Sequence, residues 1–182
     1  MTPENRIQQL RAADAAGEAI DVLPFWGHRH EPDGSVGRGC LSQWWLAEFT
    51  VDGVTYPTAE HWMMAGKARV FGDAEGLATV MAAITPYAAK AAGRAVRGFD
   101  EQVWKKARYE IVVEGNRAKF GQHPELAAYL RSTGQRVIVE ASPYDRIWGV
   151  AMAESDPDVA HPLRWRGLNL LGFALMDVRD EL

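Results

Sequence analysis

The stretch EFTVDGVTYPTAEHWMMAGKARVFGD, Glu48 to Asp73, joins a hairpin to a capped helix, and this pairing sets the fold class. Asp52-Gly53 stands between β-formers, and that dipeptide favours the positive backbone angles of a tight hairpin turn. The hairpin hands the chain to Thr58, a good N-cap, and the spacing predicts a helix from there to Phe71 with Gly72 as its stop. At about 3.6 residues per turn, Glu60, Met63, Met64 and Lys67 fall along one stripe, with a carboxylate at one end and an ammonium at the other. Such a stripe is either a solvated edge or the wall of a polar pocket.

Outward from this stretch the pattern is mostly helical. On the N-terminal side, Thr2-Pro3-Glu4 caps a helix that Gly17 stops, so residues 1–20 are expected as a helical extension to a domain of residues 21–182. Asp21 to His28 reads as a strand, and HEPDGSVGRG after it as a loop. On the other side, Thr85-Pro86 opens a helix ending near Gly98, and Asp100 opens a longer one through Phe120. His123-Pro124 opens a third that Gly134 closes. RVIVEAS is a short apolar strand, PYDRIWG a loop, and WRGLNLLGFALMDVRDEL an amphipathic helix. Strands at the two ends of a helical middle, without βαβ alternation, predict a helix-rich α+β single domain with a small β-sheet.

Composition narrows the function. The 182 residues are 47% hydrophobic and 24% charged, enough for a real core. A formal net charge of -4 argues against a broad, sequence-independent grip on nucleic acid. A single cysteine, Cys40, excludes an intramolecular disulfide and a cysteine-rich zinc site, which fits a reducing compartment. No apolar run is long enough to span a bilayer, and MTPENRIQQLRAAD is polar rather than signal-like, so a cytoplasmic location is expected.

Familiar catalytic fingerprints are missing: there is no GxGxxG, GxxxxGK[ST], HExxH or GxSxG. The five histidines are scattered, and His28 and His30 lie at strand spacing, so an exposed loop explains them better than a metal site does. What stands out is polar residues set among aromatics in a chain with seven tryptophans: Ser42-Gln43-Trp44, Glu60, Lys67, Trp104, Tyr144-Asp145-Arg146, Trp148-Gly149 and Asn169. Tryptophan offers a face for stacking a base, and Arg, Asp and Asn beside it suit a nucleoside pocket. Each residue taken singly also has a structural explanation: a helix-start glutamate, a solvated lysine, a turn aspartate, a core tryptophan.

Together the segments LSQWW, YPTAEHWMMAGKARVFGD, FDEQVWKKARYEIVVEGNRAKFGQHPEL, EASPYDRIWGV and WRGLNLLGFALMDVR resemble the NADAR (YbiA-like) family in order and spacing, from about Pro24 to Arg179. The resemblance implies an N-glycosidase that hydrolyses the bond between ribose C1 and a base nitrogen. The implied substrate is either a phosphorylated aminopyrimidine intermediate of riboflavin synthesis or ADP-ribosylated guanine, free or within nucleic acid. It implies catalytic roles for Glu60, Lys67 and Asp145. Substrate contacts would come from Ser42, Gln43, Trp44, Trp104, Tyr144, Arg146, Trp148, Gly149 and Asn169, with no metal, cofactor or membrane involved. This chain departs from the family pattern at Gln43 (usually Asn), Gly66 (usually Gln) and Ala151 (usually Gly).

Cleavage would develop positive charge on the sugar, which an ionised Glu60 would stabilise from its helix start. Lys67 would either bind phosphate or, as a neutral amine, attack C1 and open the ribose through a Schiff base. Asp145 would position water or protonate the base. The competing expectation is a non-catalytic module that binds ADP-ribose or a nucleotide. The oligomeric state is not written in the sequence.

Overall fold

The computed structural model describes all 182 residues and is helix-rich, with seven α-helices and four short strands. In chain order these are α1 (Pro3–Ala15), β1 (Val22–Phe25), β2 (Phe49–Val51), β3 (Val54–Tyr56), α2 (Ala59–Val70), α3 (Ala74–Met81) and α4 (Pro86–Arg94). They are followed by α5 (Glu101–Gln122), α6 (Pro124–Ser132), β4 (Val137–Glu140) and α7 (Leu170–Glu181). Short 3-10 turns lie at Arg38–Leu41, Pro157–Ala160 and Pro162–Arg164. No helix is long and apolar enough to cross a membrane.

Two compact units make up the chain: residues 1–42 with 125–182, and residues 43–124. In the discontinuous unit β1 and β4 pair in parallel, with Phe25 opposite Glu140, and Phe25, Ile138, Leu171 and Phe173 are fully buried. The pairing joins strands more than a hundred residues apart, which parallel strands permit because they need a crossover connection in any case. Instead of one small sheet there are two separate pairs, the other being the β2–β3 hairpin. Its turn residues Asp52 and Gly53 have φ of 50° and 77°, the left-handed angles that the Asp-Gly signal predicts.

The N-terminal helix α1 is pinned at both ends. Arg6 donates to the Phe173 carbonyl at 3.1 Å and pairs with Asp177 at 2.7 Å. At the other end Asp14 accepts from the Leu163 amide and faces His161 Nδ1, each at 3.0 Å. These bonds, the His161 contact foremost, hold the Asp14 carboxyl below the usual range.

In the contiguous unit α2 packs against α3, α4 and α5. Glycines let α2 pack closely against its neighbours: a Cβ on Gly93 of α4 would stand 2.0 Å from Met64 Sδ of α2, and one on Gly66 of α2 would stand 2.8 Å from Ile111 Cγ2. The second contact explains why this chain carries Gly66, since Ile111 of α5 occupies the space that a side chain there would need.

Several elements differ from the sequence expectation: β1 stops at Phe25 rather than running to His28, and α4 stops at Arg94 rather than near Gly98. Asp73 caps an additional helix, α3, whose Gly76 and β-branched Thr79 and Val80 weaken the helical signal. The last helix begins at Leu170 rather than Trp165, because Trp165 to Asn169 is held as irregular backbone. There Arg166, Leu168 and Asn169 donate to the carbonyls of Val150, Arg146 and Gly149.

Candidate active site

Within the contiguous unit, α2 begins where Thr58 Oγ1 accepts the His61 amide at 3.4 Å. His61 closes the same turn: its Nε2 faces the Ala83 carbonyl at 3.1 Å and its Nδ1 the Thr58 hydroxyl at 2.8 Å. A carbonyl only accepts, so Nε2 carries the proton and the Thr58 hydroxyl donates to Nδ1. Burial pushes the His61 pKa down and keeps this neutral arrangement. Between these two residues Glu60 is only 2% exposed in the first helical turn, where the helix dipole favours a carboxylate, and its amide donates to the Gln43 carbonyl at 2.9 Å.

Lys67 stands two turns further along α2, about 10 Å from Glu60 along the axis. The charges acting on Lys67 are those of Glu101 and Arg94. Its Nζ lies 4.2 Å from the ring centre of Phe99 and 6.0 Å from that of Trp104. Burial pushes the Lys67 pKa below its ordinary value, and Arg94 pushes the same way while Glu101 opposes. The arrangement favours a neutral, nucleophilic amine at lower pH than a solvated lysine would allow.

Next to Arg94 is a cleft of about 190 Å³ lined by Trp44, Tyr87, Lys90, Ala91 and Arg94. Lys90 Nζ lies 5.8 Å from the centre of the Trp44 ring, which meets Tyr87 edge-on at 6.4 Å. Two cations beside aromatic faces suit an anionic group on an aromatic or ribosyl ligand. Sequence reasoning missed Tyr87, Lys90, Arg94 and Phe99. The first three share one face of α4 at spacings of three and four, a signal that was present in YAAKAAGR.

Other expected residues serve the fold through visible bonds. Gln43 is buried and its Nε2 donates to Asn116 Oδ1 at 3.0 Å, while Asn116 in turn donates to the Val112 carbonyl. Trp104 is buried at 7% exposure and forms the wall behind Lys67.

In the discontinuous unit, Asp145 Oδ1 accepts the amides of Ile147 and Trp148, each at 2.8 Å, so this oxygen closes its own turn. Asn169 is fully buried with φ of 54°. Its Oδ1 accepts the Glu140 amide at 3.0 Å and its Nδ2 donates to the Ile138 carbonyl at 2.9 Å, so it bonds to β4 as another strand would. Gly149 and Gly167 let the two motifs interlock: a Cβ on Gly167 would stand 2.2 Å from the Gly149 carbonyl. Tyr144 is 87% exposed, Arg146 is exposed and Ser42 half-buried. No group of three or more His, Cys, Asp or Glu side chains is placed to hold a metal ion.

Residues 24–182 match the family model described as the NADAR domain. The chain is 41% identical over 150 residues to an N-glycosidase of Acanthamoeba polyphaga mimivirus, covering 80% of this chain and 88% of that protein. It is 33% identical over 132 residues to N-glycosidase YbiA of Escherichia coli (strain K12), covering 72% and 74%. A match at 31% identity covers 72% of this chain but 20% of the riboflavin biosynthesis protein PYRR of Zea mays. The NMR structure of Escherichia coli YbiA is similar with a TM-score of 0.69 at 28% identity, over 89% of this chain and 85% of that one.

Proposed function

The chain belongs to the NADAR domain family and is a hydrolase acting on N-glycosyl bonds, and from this premise we propose that it cleaves the C1–N bond of a phosphate-bearing N-riboside with Lys67 as nucleophile. The observation that carries the reading is the half-buried Lys67 amine set beside Phe99 and Trp104, whose pKa burial lowers. In the proposed reaction the neutral amine attacks ribose C1, and the base departs with the electron pair of the C–N bond and takes up a proton. The ribose ring then opens as its ring oxygen gains a proton, leaving an imine between C1 and Nζ. Water adds to that imine and releases the sugar and the amine. Glu60, held in the first turn of α2, stabilises the positive charge that develops on the sugar. Lys90 and Arg94 receive the phosphate, with Trp44 and Tyr87 beside it. Asp145 holds the turn after β4 through the bonds described above.

Both a ribosylaminopyrimidine phosphate and ADP-ribosylated guanosine have this chemistry, and the relationship to a riboflavin biosynthesis protein supports the former. The test incubates each with the protein and with Glu60→Gln and Lys67→Ala variants, following released base by mass spectrometry, with borohydride present in a parallel set. Release of base together with a reduced adduct that is missing in Lys67→Ala is the expected outcome. An adduct that persists in Lys67→Ala removes the nucleophile role, and failure of the unaltered protein to release any base leaves a nucleotide-binding module in its place.

A further inference from the structure

A cleft in the discontinuous unit shares no lining residue with the chemistry above. Its volume is about 520 Å³, within the range of roughly 300 to 1,000 Å³ typical of small-molecule sites, and it is lined by Trp26, His28, Arg29, His30, Glu31 and Arg38, with Gly27 and Gly39. Its place in the topology is telling. β1 and β4 run parallel and end side by side, with the Ala141 amide donating to the Phe25 carbonyl at 2.9 Å. The cavity residues begin at the first residue beyond β1, so the paired strand ends fix where the cleft opens.

The walls are built rather than incidental. Gly27 has φ of 86°, which turns the chain sharply as it leaves β1. Gly39 packs against the backbone of Arg29, where a Cβ would stand 2.2 Å from the Arg29 carbonyl. The Glu31 amide donates to the Ser35 carbonyl at 3.2 Å and the Gly34 amide to the Glu31 carbonyl at 2.9 Å, closing the loop. Arg38 is held by Glu154 and by the Pro24 carbonyl, which fixes one side. Into this frame project Trp26, 58% exposed, and the exposed Arg29. An indole face left open to solvent beside a planar guanidinium fork matches a ligand with an aromatic ring at one end and a phosphate at the other.

We propose that this cleft is a binding site for a nucleoside phosphate, with Trp26 stacking on the base and Arg29 pairing with the phosphate, using none of the residues assigned to the cleavage chemistry. Binding of AMP, adenosine and inorganic phosphate, each alone, is measured by calorimetry on the full chain and on Trp26→Ala, Arg29→Ala and Lys67→Ala variants, with thermal unfolding as the folding control. Because Trp26 and Arg29 are exposed, both variants are expected to unfold at the unaltered temperature. The expected result, measured in an Arg94→Ala background that removes a phosphate contact of the cleavage site, is AMP binding that weakens about tenfold or more in Trp26→Ala and in Arg29→Ala and is unchanged in Lys67→Ala, with adenosine and phosphate each weaker than AMP. Three results overturn it: no AMP binding in the Arg94→Ala background, binding there that both cleft variants keep, or binding lost only in Lys67→Ala. Phosphate binding as tightly as AMP removes the base-stacking role. N-riboside cleavage is followed separately, so failure of this site leaves the glycosidase reading standing, and the reverse.

Discussion

Two polar regions set among aromatics have opposite fates in this protein. Around the turn after β4, Asp145 and Asn169 direct their side chains at main-chain amides and carbonyls of their own unit. Along α2 and α4, Lys67, Lys90 and Arg94 meet aromatic faces and the edge of a cleft. In sequence Asp145, Asn169 and Lys67 all read as pocket residues, whereas Lys90 and Arg94 do not stand out. The difference teaches that a polar residue beside tryptophan becomes a candidate for chemistry only when the fold does not claim its hydrogen bonds, and that claim is made by backbone groups that the sequence does not place.

The contrast is most strongly tested at Lys67. Lys67→Ala is expected to lower N-riboside cleavage on the order of 10³-fold or more while leaving the unfolding transition close to that of the unaltered protein. Equal losses of activity and stability would place Lys67 with the structural group. Asn169→Ala should do the reverse, removing about 2 to 4 kcal/mol of stability in a denaturant titration, because the Glu140 amide and the Ile138 carbonyl both lose a buried partner. A stable Asn169→Ala protein with impaired cleavage would return this residue to the site.

Arg94→Ala is expected to raise KM about tenfold with a smaller change in kcat, the signature of a group that binds phosphate in ground and transition state alike. The pH profile gives a finer test. The neutral amine is the reactive form and the Lys67 pKa is depressed, so kcat/KM should rise with pH and level off below the ordinary lysine value of 10.5. A rise that continues to that value would mean that Lys67 titrates as a solvated lysine.

His61 affects stability in a calculable direction. Its pKa is lowered on folding from 6.5, so the unfolded chain takes up a proton first as pH falls. The contribution is fully present above pH 6.5 and is lost below it, down to the depressed folded value. His61→Ala should therefore flatten the fall in melting temperature on mild acidification. The smallest effect is expected at Ala151, whose φ of 55° is a left-handed conformation that glycine adopts without strain. Ala151→Gly should stabilise by up to about 1 kcal/mol, with activity unchanged, as a thermal melt would record.

The sequence alone carried the local instructions. Asp52-Gly53 specified the hairpin, Thr58, Thr85 and Asp100 specified helix starts, and the ordered motifs specified the family, because turn angles, caps and motif spacing depend on residues close together in the chain. It also placed Glu60 and Lys67 on one helix. What it left open needed contacts between distant segments. How far Lys67 is buried depends on Phe99 and Trp104, more than thirty residues away, and the bonds that the Asn169 side chain makes depend on β4, about thirty residues earlier. The start of α7 depended on the same cause, since the carbonyls of Arg146 to Val150 hold Arg166 to Asn169 out of a helix. Desolvation and hydrogen-bond satisfaction are properties of a neighbourhood, and only the tertiary structure assembles that neighbourhood.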